Sequence, residues 1–310
     1  MAFTLEDAKK LSQSKLTNFV IDEFRKSPIL DAMVFDDTVK PGGGNSLAYV
    51  YNRVTTLPTA AGRAINSEYT AQEAKTTQYT SNLAVFGGKF ALDRVLINNE
   101  KQVTDLVQFQ LAQKIAATRA KFCDQFINGD SSTDATAFDG LDKAITGSST
   151  ERTISAGLDL SSATKIETNW KAFLYELRQT LKLMDGAPSI ALMNGDMFAV
   201  IQTVADYAAG FTATKNDLGQ ELVKYGNTIL MDAGDKPGSS SPIISTSAIY
   251  MTRIGLDGVH AVTPDGSRGP KTYLPNMSEP GAVKFGEVEM VAGMALKATR
   301  AAAVLRGITL

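Results

Sequence analysis

Ile127-Asn128-Gly129-Asp130, followed shortly by Phe138-Asp139-Gly140-Leu141, closes the longest helical run in the chain. Upstream, Val103, Val107, Leu111, Ile115, Phe122 and Phe126 keep one apolar stripe over residues 98 to 128, interrupted near Thr118 and Arg119. Asn98 or Asn99 offers an N-cap, and Asn128-Gly129 reads as a left-handed terminator. A helix of roughly thirty residues makes a rod of about 45 Å. Its opposite face carries Lys101, Gln108, Lys114, Lys121 and Asp124, so the sequence predicts a spine with one buried side.

Working outward toward the N-terminus, Ser46 to Leu57 and Thr77 to Asp93 are rich in Thr, Tyr, Val and Phe, the residues of extended chain. They flank a polar tip, 58 to 76, that carries Arg63, Glu68, Glu73 and Lys75, and Arg53 lies on the first strand. Strands of about twelve residues span roughly 40 Å, and an isolated two-stranded ribbon is marginal in water. These five charged residues are therefore expected to meet a neighbouring copy of the chain. Gly42-Gly43-Gly44 precedes the arm as a hinge; no Gly-Lys-Ser/Thr follows to make a phosphate cradle. Earlier still, Leu5, Ala8, Leu11, Leu16, Phe19 and Phe24 predict an amphipathic N-terminal helix ending at Ser27-Pro28.

Toward the C-terminus, Trp170, Phe173, Leu174, Leu177, Leu181 and Met184 predict a helix after a Ser/Thr-rich connection. Ser189 to Met193 reads as a buried strand, and Asn194 restarts a helix. Thr228 to Met231, Ser247 to Ile254 and Gly258 to Val262 read as further strands around a Gly/Ser/Pro loop, 234 to 242. Val283 to Thr309 predicts one or two strands returning to the spine, with helix competing because of Ala301-Ala302-Ala303.

Composition bounds the function. The chain has 310 residues, 44% hydrophobic and 21% charged, with 31 basic and 33 acidic residues and a net charge of −2. Nothing in that balance draws it globally to nucleic acid or to a membrane. No run of eighteen apolar residues or signal-peptide pattern is present, so the chain is read as neither membrane-spanning nor secreted by signal peptide. One cysteine, Cys123, excludes an intrachain disulfide and a sulfur-ligated zinc site; it reads as an apolar filler on the buried side of the spine. The lone histidine, His260, lies in strand-like sequence with no Gly-x-Ser-x-Gly elbow elsewhere, and reads as structural. Asp130, Asp134 and Asp139 have the short spacing of a calcium loop but neither its order nor its closing Glu, so a turn is expected. No catalytic, metal or cofactor constellation assembles, and the expectation is a protein that is not an enzyme and uses no cofactor. Lys114, Arg119 and Lys121 form a modest basic run, read either as a solvated face or as a surface toward packed DNA.

The order of parts resembles the major capsid protein of tailed bacteriophages, whose fold is shared with encapsulins. Ile127 to Asp130 with Phe138 to Leu141 is similar to that family's turn after the spine. Glu289-Met290-Val291-Ala292-Gly293-Met294-Ala295-Leu296 with Arg300 to Gly307 is similar to its closing segment. The resemblance implies an α+β fold with an N-terminal helix and arm (1–44), an extended β-hairpin loop (45–93), a peripheral domain with the spine (94–160), an axial domain (161–275) and a C-terminal return to the peripheral domain (276–310). It implies self-assembly into pentamers and hexamers of an icosahedral shell around double-stranded DNA, in a virion built in the bacterial cytoplasm. Partners would be other copies of the chain, a portal, a decoration protein and a separate scaffolding protein, because no long pro-segment stands before the N-terminal helix. Some members join subunits through a loop lysine; Lys75 and Lys89 lie in the loop here, and non-covalent shells are expected. An encapsulin-like compartment is the alternative, and an α/β enzyme with an unidentified site is the alternative of another class.

Overall fold

The computed structural model describes residues 29–38, 46–98, 106–208, 210–215 and 221–310. The N-terminal helix expected over Leu5 to Phe24, the Gly42 to Gly44 hinge, and Lys101 and Val103 lie outside the described residues. The helices are α1 (Ile29–Ala32), α2 (Arg94–Asn98), α3 (Leu106–Asn128), α4 (Leu141–Ile145), α5 (Ala163–Leu181) and α6 (Gly195–Tyr207). The strands are β1 (Phe35–Asp37), β2 (Ala48–Thr56), β3 (Lys75–Asn82), β4 (Ala84–Asp93), β5 (Glu151–Asp159), β6 (Ile190–Met193), β7 (Phe211–Lys215), β8 (Glu221–Tyr225), β9 (Thr228–Asp232), β10 (Ile249–Thr252), β11 (Val259–Thr263), β12 (Lys271–Tyr273), β13 (Val283–Leu296) and β14 (Ala302–Thr309). The mixed α+β class is the one expected from the sequence.

A seven-stranded sheet in the order β5-β14-β10-β6-β9-β8-β7 forms the middle of the molecule. Its central strands are buried on both faces, and period-2 alternation assigns their residues to two different cores. Ala191, Met193, Ile249, Met251, Ala303 and Leu305 pack with Phe173, Leu177, Met197 and Ile201 of α5 and α6. Ile190, Leu192, Tyr250, Ala302 and Val304 point the other way, into a core with Phe122, Phe126 and Phe138. That division settles Ala302 to Val304 as strand, since only a strand delivers adjacent residues to opposite layers, while Ala301 closes a single 3-10 turn, Thr299–Ala301. The helices on the first face start where the sequence caps them: Ser162 accepts from the Lys165 N–H and Asn194 from the Met197 N–H.

The second sheet runs β1-β11-β13-β12, with β4 paired to β13 from Val283↔Asp93 to Ala292↔Ala84. The spine α3 lies on β4 and β13. Phe122 is the hub of its aromatic packing, with ring centroids 6.0 Å from Phe35, 5.8 Å from Phe138 and 6.3 Å from Phe126. Phe90 covers the bare backbone of Gly286, its partner across the ladder. Leu111 and Ile115 are only half-buried, and Thr118, the apparent interruption of the stripe, is itself buried with its hydroxyl donating to the Lys114 carbonyl at 2.8 Å.

The structure corrects three expectations. The second arm segment, 77 to 93, is not one strand of the hairpin. It breaks at Leu83, with β3 paired to β2 and β4 to β13. Asn98 does not cap the spine, because it is itself helical as the last described residue of α2; the other candidate, Asn99, lies outside the described residues, and the described spine begins at Leu106. Gly129 does not terminate the helix by a left-handed turn, because its φ is not positive. A Cβ there would collide with the Phe138 and Gln125 carbonyl oxygens, and one on Gly140 with the same Gln125 oxygen and with backbone of Gly129 and Ile127. These two glycines let the returning chain close onto the helix end, where the Gly140 N–H donates to the Gly129 carbonyl at 2.8 Å.

Arg306 of β14 ties α4 to the seven-stranded sheet. Its guanidinium donates to Asp142 of α4 and lies 2.9 Å from Glu151 of β5, while the Tyr250 hydroxyl donates to Asp142 at 2.6 Å. Burial works to raise the Asp142 pKa, but bonds from Arg306 and Tyr250 outweigh it and hold it below the ordinary carboxylate value. The stabilisation is thus present above about pH 4 and lost as pH falls through the lowered pKa. Arg306→Ala is expected to cost about 1–3 kcal/mol, less than a fully buried pair because solvent reaches Asp142. Urea unfolding at pH 7 checks this, and the difference from wild type should shrink below pH 4.

Candidate assembly surface: the hairpin and its root

β2 and β3 pair from Ala48↔Asn82 to Val54↔Thr76, with an irregularity before Thr56↔Lys75. Tyr, Val and Thr fill both strands, as a half-exposed pleated ribbon favours. The nine residues of β2 span roughly 30 Å, of which the stretch up to Arg53 is bonded to the body and the far end stands clear of it. Beyond them, residues 57 to 74 have no helix or strand, and all are exposed. The tip ties its own limbs together: Thr59 donates from both its N–H and hydroxyl to Gln72 Oε1 at 2.6 Å. A turn at Ala64 to Ser67, with Asn66 at φ 69°, folds the end.

The tip presents apolar side chains to solvent: Leu57 is 78% exposed, Ile65 91% and Tyr69 64%. Arg63 stays within the tip, donating to the Ser67 carbonyl at 3.1 Å with its guanidinium 5.5 Å from the Tyr69 ring centre. Glu68, Glu73 and Lys75 are exposed. Arg53 differs from these four, because it is engaged on its own subunit. It lies 4.2 Å over the Tyr79 ring, donates to the Leu296 carbonyl, and reaches Thr299 Oγ1 at 3.4 Å.

Arg53 belongs to the root of the hairpin, which sequence reasoning did not single out. Tyr51 stacks on Tyr79 at 5.9 Å and donates to the Leu296 carbonyl at 3.0 Å. Ser81 donates to the Met294 carbonyl at 2.6 Å, and Tyr49 to Asp36 Oδ2 at 2.6 Å. Tyr49, Tyr51 and Arg53 alternate on one strand, so a shared face was readable from spacing. Their partners Asp36, Leu296 and Thr299 are remote in sequence, and nothing local announces them. The Tyr49 pKa is driven up, first by burial and then by the Asp36 carboxylate it donates to.

The basic run is dispersed. Lys114 lies along Gly88 of β4. Arg119 pairs with Asp31 of α1, and Lys121 is half-buried. At about 100° per residue Lys114 and Lys121 flank one side of the buried stripe, and Arg119 is turned about 140° from Lys114. Asp130 and Asp139 converge on Lys143 at 2.6 and 2.8 Å, and Asp134 accepts from Thr136, so these carboxylates organise the turn after the spine. Among the described residues, no group of three potential ligands could hold a metal ion, and no helix is long and apolar enough to cross a membrane.

Neither protein-family models nor curated proteins give a match to the sequence. Solved structures do match. The SrpI encapsulin of Synechococcus elongatus PCC 7942 superposes over 100% of this chain and 97% of its own, with a TM-score of 0.68 at 12% identity. A Gordonia phage Cozz chain covers 96% and 91%, with a TM-score of 0.62 at 13% identity. The capsid of Myoviridae phage XM1 covers 95% and 97%, with a TM-score of 0.62 at 11% identity. The chain has the fold these capsid and encapsulin proteins share.

Proposed function

We propose that the protein is the major capsid subunit of a tailed phage, assembling as pentamers and hexamers into an icosahedral shell that encloses double-stranded DNA. The observation that carries this reading is the exposed hairpin on a capsid-type fold: Leu57, Ile65 and Tyr69 stand in solvent at the end of a ribbon too thin to bury them. A second copy of the chain covers them in a closed assembly. Lys114 and Lys121 are the cations of the basic run left for non-specific contact with DNA, since Arg119 is paired with Asp31. On this reading the hairpin within residues 45–93, up to its break at Leu83, is the extended loop, 94–160 and 276–310 with β4 the peripheral part, and 161–275 the axial part, with a scaffolding protein, a portal and a decoration protein as partners. Assembly takes place in the host cytoplasm.

The match of the whole of this chain to 97% of the SrpI encapsulin chain favours a second reading, a compartment filled with protein cargo. Electron microscopy of purified particles, with their ratio of absorbance at 260 to 280 nm before and after nuclease, separates the two. Closed shells protecting DNA support the phage reading, and shells with protein alone support the compartment. A permanently small oligomer would overturn both.

The shells are expected to be non-covalent. Lys89 stands on the open face of β4 with its ammonium 5.3 Å from the Phe285 ring centre, and Lys75 is exposed at the start of β3. Boiled, reduced particles should run as one band near 33.1 kDa. A ladder of multimers that survives this treatment would overturn the expectation.

A further inference from the structure

The root of the hairpin holds the only histidine in the sequence. His260 on β11 is fully buried, and among the described residues neither ring nitrogen makes a hydrogen bond of full geometry. Its Nε2 lies 3.8 Å from Asp36 Oδ2, and its ring meets the Tyr49 ring edge-on at 5.5 Å between centroids. The same Asp36 oxygen accepts the Tyr49 hydroxyl at 2.6 Å and lies 3.8 Å from the Lys297 ammonium. One carboxylate oxygen of β1 therefore faces groups from the hairpin, from β11 and from the chain just after β13. Asp37 acts on Tyr49 from β1, and the Gly255 carbonyl acts on the imidazole from the turn before β11.

We propose that this cluster is a proton-operated latch on the hairpin: Asp36 holds Tyr49 while His260 is neutral, and a proton on His260 draws the carboxylate to the imidazolium and releases Tyr49. The proton comes from solvent and binds a ring nitrogen. No other covalent bond changes, and the Tyr49 hydroxyl exchanges the carboxylate for water. A charged donor competes for a carboxylate better than a neutral phenol does. The sealed ring can accept its proton only as the root loosens. Burial and the Lys297 charge hold the His260 pKa down to about 4, against the opposing pull of Asp36 and Gly255. The closed root thus binds fewer protons than an open one. Its closure is complete above about pH 6.5 and weakens as pH falls toward 4, by up to on the order of a hundredfold in the opening equilibrium.

The latch is independent of the shell reading, because opening can be measured on the purified protein in whatever state of assembly it adopts. Hydrogen exchange of residues 48–54 and 76–82, corrected for the intrinsic pH dependence of exchange, is compared at pH 7 and 4.5. The wild type is expected to open at least tenfold more at pH 4.5, while His260→Gln shows no such increase and residues 283–292 stay protected in both. Tyr49→Phe, which lacks the bond to Asp36, is expected to exchange faster than wild type already at pH 7, which keeps the test decisive if His260→Gln does not fold. Acid opening of His260→Gln equal to wild type, or wild-type protection of Tyr49→Phe at pH 7, would overturn the latch.

Discussion

Replacing residues 57–74 by Asn-Gly, a two-residue connection suited to a hairpin, is expected to leave a folded protein that no longer closes into shells. The segment forms no helix or strand, and its exposed side chains include three large apolar ones. Its removal therefore takes almost nothing from the cores, and the melting temperature should move by no more than a few degrees. Burying a side chain the size of leucine contributes about 1.5–3 kcal/mol, so loss of Leu57, Ile65 and Tyr69 removes several kcal/mol from each hairpin contact. A closed shell repeats that loss around every subunit. Circular dichroism should match wild type, sedimentation should find small species, and negative-stain images should lack particles. Normal shells would remove the hairpin from assembly, and loss of the circular dichroism signal would put the tip in the fold.

The hairpin was legible because an exposed ribbon has to select β-branched and aromatic residues locally, and Tyr49 to Thr56 and Thr76 to Thr80 do so. The break at Leu83 was not, because β3 and β4 are both good strand sequences. What separates them is the ladder to β13, a partner some two hundred residues away. β5 hides in the Ser/Thr-rich connection before α5 for the same reason: Glu151 to Asp159 is a weak strand by composition and is recruited by β14. β7, β8 and β12 went unread, being short edge or near-edge strands without a strong apolar pattern. The spine stripe was legible, yet its burial is graded, since α3 is covered by two sheets only near its C-terminal end. Of the charged residues picked out on the arm, Arg63, Glu68, Glu73 and Lys75 are at the exposed tip or its edge. Arg53 has the same local character but is drawn to Leu296 and Thr299 by the way the hairpin leaves the body.

That gradient makes Phe122 the most damaging position on the spine. Phe122→Ala is expected to cost about 3–5 kcal/mol, because the ring is fully buried at the junction of Phe35 of β1, Phe86 of β4, Phe126 of α3 itself and Phe138 of the loop before α4, neighbours that cannot collapse together into the space. Against a total stability of about 5–15 kcal/mol, this can consume most of the margin. Phe122→Asp adds an unpaired buried charge and should abolish folding. Leu111→Asp is the informative comparison. Leu111 is half-buried against the smaller cluster of Phe90, Leu92 and Leu106, so its carboxylate can turn toward water and the protein should still fold with a lowered melting temperature. Urea unfolding of the three variants should rank Leu111→Asp above Phe122→Ala and leave Phe122→Asp without a cooperative transition. If Leu111→Asp were as damaging as Phe122→Asp, the spine would be gripped evenly along its length, and the junction around Phe122 would not be where the two layers are held together.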